Sequence, residues 1–372
     1  MKIGERDNRL NLNEGVETQT ENQTYTNENN IYIFQAHLQN EENSASKINK
    51  LKDLIRKNLP GCDLVLCIFI AALKSFRADK CLRPFPQYFV NEKDEKDFVS
   101  LKKSFDKIPP LSEFLRIPAQ NIPQDVADLL LWLFFASGIP ILTKDSVENL
   151  PVSVLNTKAS INPVPQHVFE VNYSPKIDET WMKRTRSKTV FYAFHGSPVI
   201  NFYSILKIGL QQHFSSEKEV IFGNGVYLSN EISICTNYAP FAKTWNHSTI
   251  GTKHSIIAVC EVINDEENVK CKDENNRKRA LNQNSYGEIP EKYFVVTNSE
   301  LIKVKYLLVY GNGGPSAVKS FVKKHFLWIL IVLYIVMLLM IKLYNMGLWK
   351  KSIRLVYFLQ KYCLAFNTYL NN

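Results

Sequence analysis

The sequence predicts an α+β protein: an N-terminal all-α helical domain, a mostly antiparallel β-sheet domain, and a single C-terminal transmembrane helix. Three observations predict it. Apolar residues recur at helical spacing through 45–138. Beyond Pro140 the pattern changes to short runs rich in Val, Ile, Tyr and Phe, the residues that suit a pleated surface. Near the end, the run 326–341 contains no charged residue.

Residues 1–30 are rich in Asn, Glu, Gln and Thr, and are expected as a disordered extension. In 47–59, Ile48, Leu51, Leu54 and Ile55 fall on one helical face, and Pro60-Gly61 reads as the stop. Asp63 reads as the cap of the apolar run 64–76, which is too short to span a bilayer and is expected as a buried helix. Further helices are expected at 94–105 and 124–136. The proline-punctuated segment 139–167 reads as a linker. The second domain is expected over 168–312, with strands at 168–171, 190–194, 225–228, 255–263, 293–296 and 302–310. Two short helices interrupt them, 201–208, closed by Gly209, and 231–238.

At about 1.5 Å per residue the run 326–341 reaches roughly 24 Å. A snorkelling Lys342, with Leu343 and Tyr344, extends the expected span 326–344 to about 28 Å. That suits an endoplasmic reticulum bilayer of about 27 Å. The run is apolar on every face and follows the last strand, which argues against a core helix. Lys319, Lys323 and Lys324 precede it and Lys342, Lys350, Lys351 and Arg354 follow, so the positive-inside rule is close to a draw. The tail 345–372 mixes aromatic and aliphatic residues with Lys and Arg, as an interfacial amphipathic helix does.

The chain has 372 residues, 45% hydrophobic and 22% charged, a globular composition. Its net charge of +9 fits an anionic membrane face as well as nucleic acid. The basic residues are spread out, with clusters at Lys183-Arg184-Thr185-Arg186 and Arg277-Lys278-Arg279. No zinc-finger, RNA-recognition or homeodomain signature is present, which argues against a nucleic-acid partner. The 7 cysteines form no CxxC and several sit in apolar runs, so reduced core thiols in a cytosolic body are expected. No apolar signal segment opens the chain. His247 and His254 lack an evident third metal ligand and read as surface residues.

The chemistry-bearing segments are Val190-Phe-Tyr-Ala-Phe-His-Gly-Ser197 and Phe222-Gly-Asn-Gly-Val-Tyr227. The first delivers His195 and Gly196 to a strand end; the second delivers Tyr227 from a Gly-rich turn. Each alone is ordinary: a histidine at a strand end, a hairpin turn, a sheet tyrosine. Neither GxGxxG nor a Walker lysine is present.

Together, at their spacing, they resemble the NAD-binding core of the poly(ADP-ribose) polymerase family, the diphtheria-toxin-like ADP-ribosyltransferases. His195-Gly196 and Tyr227 match the first two positions of the family's His-Tyr-Glu signature, and Tyr238 matches the stacking tyrosine that follows. The third position, in Pro290-Glu-Lys-Tyr293, carries Tyr293 in place of glutamate. Leu82-Arg-Pro-Phe-Pro86 and the C-terminal span resemble the family's tail-anchored, mono-ADP-ribosylating branch of the endoplasmic reticulum and nuclear envelope.

The resemblance implies NAD+ as co-substrate, no metal, protein acceptors that include the enzyme itself, and a cytosolic catalytic domain held on a bilayer. It implies His195, Tyr227 and Tyr293 as catalytic residues, and His195, Gly196, Tyr227, Cys235, Tyr238 and Tyr293 as the NAD-binding set. Cleaving the nicotinamide–ribose bond passes through an oxocarbenium-like state, as in glycoside hydrolysis. His195 can bond a ribose hydroxyl, the tyrosines can stack on nicotinamide, and Gly196, lacking Cβ, lets the nicotinamide amide approach the main chain. Two departures matter. A phenol with a pKa near 10 is a poor base, so transfer should stop at one unit. Cys235 stands where many members have a serine bonding the nicotinamide amide; a thiol is a weak donor, so the clamp leans on Gly196.

Overall fold

The computed structural model describes residues 44–155, 161–211, 221–273, 276–283 and 285–311, with 334, 336–339 and 342. The chain divides into two compact units, Met1–Gly314 and Pro315–Asn372.

The first unit opens with helices α1 (Ser44–Lys57) and α2 (Leu59–Leu73), then α3 (Ala78–Cys81), α4 (Phe98–Asp106), α5 (Leu111–Phe114) and α6 (Gln124–Leu131). Burial explains α2: every residue from Gly61 to Leu73 is buried, so a helix apolar on all faces forms at the centre of the core. Phe69 stacks on Phe105 of α4 at 5.7 Å and meets Tyr203 edge-on at 5.3 Å. The helical region and the sheet thus share one continuous core.

Three sequence expectations change here. Pro60-Gly61 does not separate two helices but lies in the first turn of α2, where a proline lacks nothing, since that N–H has no intrahelical partner. A Cβ on Gly61 would lie 1.8 Å from the Leu142 carbonyl, so glycine lets α2 pack against the neighbouring backbone. Asp63 is not a cap. It is fully buried, and its carboxyl accepts from Thr249 N and Oγ1, both at 2.7 Å, and from Cys67 Sγ at 3.6 Å. The helix expected from 94 begins at Phe98, because Asp97 caps it by accepting from Ser100 N.

The sheet strands are β1 (Ile141–Asp145), β2 (His167–Asn172), β3 (Val190–Gly196), β4 (Val226–Ser229), β5 (Ala242–Lys243), β6 (Lys253–Ile263), β7 (Val269–Lys270), β8 (Tyr293–Val296) and β9 (Ile302–Gly311). Among the described residues they form one sheet, ordered β1-β2-β9-β6-β3-β4-β8-β7, with β5 on β6. All pairings are antiparallel, as expected. The central strand β6 is buried along almost its whole length, with a bulge between Val259 and Cys260. Helices α7 (Val152–Leu155), α8 (Pro175–Thr185), α9 (Phe202–Ile208) and α10 (Ile232–Thr236) connect the strands. Gly209 closes α9 at φ +79°, its N–H reaching Ile205 O at 2.9 Å.

The segment expected as a linker, 139–167, contributes β1, which pairs with β2 from Ile141↔Asn172 to Asp145↔Val168. His254 is not a surface residue. It is fully buried, its Nδ1 2.7 Å from Thr244 Oγ1 and its Nε2 3.2 Å from Ile250 O. Five of the described cysteines are buried and Cys271 is half-buried, all as free thiols. The basic clusters are partly spent on ion pairs, Lys183–Glu179, Arg184–Glu300, Arg277–Glu288 and Arg279–Asp273.

In the second unit, 334, 336–339 and 342 are helical and exposed; the remainder of the expected span 326–344, like 1–30 and 345–372, lies outside the described residues. No helix among the described residues is long and apolar enough to cross a membrane.

Candidate active site

Strand β3 ends at His195-Gly196, paired with β6 through His195↔Ala258 and Gly196↔Ile257. On its other side Phe194 pairs with Ser229 of β4, and Ser229 pairs with Tyr293 of β8. Three neighbouring strands therefore carry His195, Tyr227 and Tyr293 to one end of the sheet. Helix α10 and the turn after it add Cys235 and Tyr238. All six residues of the expected site line one cavity of about 920 Å³, a size suited to a cofactor-sized ligand.

His195 Nδ1 lies 2.9 Å from the Tyr227 carbonyl. A carbonyl only accepts, so Nδ1 carries the hydrogen and the neutral ring keeps a lone pair on Nε2. Enclosure of the ring lowers its pKa from the usual histidine value, partly offset by that hydrogen bond. The residue is therefore an oriented acceptor at neutral pH.

The Tyr227 hydroxyl is turned to its own loop. It donates to Gly223 O at 2.8 Å and accepts from Phe222 N at 2.9 Å, closing the Gly-rich turn. Asn282 clamps the same turn from a distant loop, donating to Phe222 O at 3.0 Å and Asn224 O at 2.9 Å. The ring of Phe222 lies 6.3 Å from that of Tyr227 and 5.6 Å from that of Tyr293, a cluster of aromatic surfaces beside the cavity. Tyr238 is exposed where it lines the cavity. Burial raises the pKa of Tyr293, with Tyr238 and Cys235 adding to it, so its hydroxyl stays protonated at neutral pH and acts as a donor.

Gly196 has a packing reason besides the ligand approach expected of it. A Cβ there would lie 2.0 Å from the Cys235 carbonyl, so the missing side chain admits the backbone of α10 on that face. The Cys235 thiol is buried, and burial pushes its pKa to about 12, partly offset by the Gly196 backbone. It is an inert, protonated thiol at the cavity wall.

Sequence reasoning missed Asn282, and also Arg77, Lys80 and Cys81, which bring the helical region into the cavity wall. None lies near the strand motifs in sequence. The packing of α3 on α9 brings in Arg77, Lys80 and Cys81, through Ser204 Oγ donating to Cys81 O at 2.6 Å, whereas Asn282 joins through its bonds to the Gly-rich turn. No group of three His, Cys, Asp or Glu among the described residues could hold a metal ion.

Residues 53–134 match the model of the ARTD15 N-terminal domain. Residues 146–262 match that of the poly(ADP-ribose) polymerase catalytic domain. The chain is 35% identical over 301 residues to protein mono-ADP-ribosyltransferase PARP16 of Homo sapiens, covering 78% of this chain and 92% of that protein. Against the protein of the same name from Mus musculus it is also 35% identical, over 306 residues, covering 79% and 93%. Similarity to protein mono-ADP-ribosyltransferase PARP8 of Homo sapiens is lower, 25% over 313 residues, spanning 33% of that protein.

Proposed function

The chain belongs to the poly(ADP-ribose) polymerase family of ADP-ribosyltransferases, and we propose that it transfers one ADP-ribose from NAD+ to protein side chains, its own included. The observation that carries this is the convergence of His195, Tyr227, Tyr238 and Tyr293 on one cavity at the end of β3, β4 and β8. NAD+ bound there supplies an activated glycosidic bond, whose cleavage releases nicotinamide. The residues present suit it. Nε2 of His195 accepts from a ribose hydroxyl and so fixes the sugar. The rings of Tyr227 and Tyr238 offer stacking faces for nicotinamide. The protonated phenol of Tyr293 can donate to a ribose oxygen but cannot serve as a base, which limits the product to single units.

The proposed organisation keeps a helical domain over 45–138 and a transferase domain over 168–312. The apolar span 326–344 anchors the chain by its tail in the endoplasmic reticulum and nuclear envelope, with the catalytic domain cytosolic and 345–372 as an amphipathic tail. One structural fact supports the anchor: Val336, Met337, Leu338 and Leu339 are consecutive, helical and 45–53% exposed, so the helix presents apolar surface in nearly every direction.

Incubating the purified full chain with labelled NAD+ tests the activity. Single ADP-ribose units on the protein are expected, and His195→Ala or Tyr227→Ala should abolish labelling while near-UV circular dichroism stays unchanged. Equal labelling by His195→Ala overturns the site. NAD+ binding without any labelling by the parent chain would instead make it a membrane-tethered binding module.

A further inference from the structure

We propose that Arg77 and Lys80, both from the helical region, form the diphosphate-binding wall of the dinucleotide site. The proposal rests on the reading of the cavity as an NAD+ site and goes beyond it, because it makes the helical region part of substrate recognition. Formal charge in the wall carries it. Among the described lining residues, Arg77 and Lys80 bear the formal charges, both positive, and no carboxylate faces them from the wall. The sheet end contributes neutral groups: a neutral histidine, protonated tyrosines and a protonated thiol. A dinucleotide carries a negative charge on each of two bridged phosphates, and the described sheet-derived lining residues include no cation to meet them.

Neither Arg77 nor Lys80 is spent elsewhere among the described residues. The nearest carboxylate in sequence, Asp79, is taken by Lys96 at 2.5 Å. Both cations are exposed side chains on a fixed backbone. The turn that carries them is held to the transferase fold by a chain of hydrogen bonds. Ser204 Oγ donates to Cys81 O at 2.6 Å, and Cys81 Sγ donates to Asn201 Oδ1 at 3.5 Å. Asn201 Nδ2 then donates to Ser197 Oγ at 2.9 Å, two residues beyond His195. The cations are thereby set in a fixed relation to the histidine that would hold the ribose. A preorganised Arg–Lys pair is the usual protein answer to phosphate oxygens.

The discriminating measurement compares two probes by calorimetry on the full chain in detergent: ADP-ribose, which has the diphosphate, and nicotinamide, which lacks it. Arg77→Gln/Lys80→Gln should weaken ADP-ribose roughly ten- to hundredfold, the value of one or two charge-assisted contacts, and leave nicotinamide unchanged. The salt dependence of ADP-ribose binding should flatten in the same variant. Arg77→Lys/Lys80→Arg, which keeps both charges, should retain most of the affinity. Unchanged ADP-ribose binding in the Gln variant overturns the proposal. Parallel loss of both probes also overturns it, because the turn would then be a strut and not a clamp. A parent chain that binds neither probe removes the NAD+ reading and this one with it.

Discussion

At the residue scale, the site is tuned through protonation more than through charge. His195 is useful only while Nε2 keeps its lone pair, and enclosure lowers its pKa below the usual value near 6.5. The neutral form is thus favoured in the folded protein, and acid must go below the ordinary histidine range before the acceptor is lost. We expect kcat/KM for NAD+ to be flat from pH 8 to about 6.5 and to fall only below it. A fall already complete at pH 7 would mean a raised pKa and another role for the ring. Tyr293 makes the complementary case. Tyr293→Glu restores a carboxylate beside Ser229, yet chain growth also needs a surface that holds a second ADP-ribose. The rate should change while gel analysis still shows single units; long polymers from this one variant would show that the acceptor surface is already built. The strand-borne residues were readable because motif and spacing lie in short segments. Arg77 and Asn282 were not: Arg77 reaches the cavity wall, and Asn282 the Gly-rich turn beside it, from a loop or turn whose local sequence encodes only its own conformation.

At the element scale, the close approach of α10 to the end of β3 fixes the cavity's shape. Gly196 permits it, with the Cys235 carbonyl where a Cβ would stand. Gly196→Ala must push α10 outward and carry Cys235 and Tyr238 with it. The expected cost is roughly 1–3 kcal/mol of stability, as for an overpacked core, together with loss of nicotinamide binding. A variant as stable as the parent with unchanged nicotinamide affinity would show that α10 yields freely. The same scale shows why some elements were readable and others not. Strands β6 and β9 announce themselves as apolar runs because they are buried on both faces. Strand β1 does not: two of its five residues are exposed and prolines flank it, so its pattern resembles a linker. Helix α8 was not expected: it buries no residue at all, so no apolar stripe marks it, and the one signal that could have found it is Ser174 followed by Pro175 at its first turn. Asp63 misled for a related reason. An acidic residue before an apolar run looks like a cap, but here tertiary packing spends its carboxyl on Thr249, tying α2 to the loop before β6.

At the scale of the whole molecule, one core joins the helical region to the sheet, so the site should not depend on the second unit. The free thiols among the described residues accord with a reducing compartment and so with the proposed cytosolic placement of the catalytic body. In the proposed topology the apolar stretch 326–344 would cross once and leave 345–372 in the lumen. Three consequences can be measured together in microsomes. Truncation before Phe326 should release the protein to the soluble fraction with its NAD+ chemistry retained. The sequons at Asn22, Asn172 and Asn246 should stay bare; Asn172 already lies in β2, its amide donating to Thr143 Oγ1 at 2.9 Å. A sequon appended after Asn372 should be glycosylated, because the lysines on the two sides of the run nearly balance and the early folding of the body decides the orientation. Glycosylation at the body sequons with a bare tail inverts the topology. A bare tail on a membrane-bound chain with a bare body places 345–372 on the cytosolic face, where its basic and aromatic residues would lie flat on the headgroups and the span would have to re-enter instead of crossing.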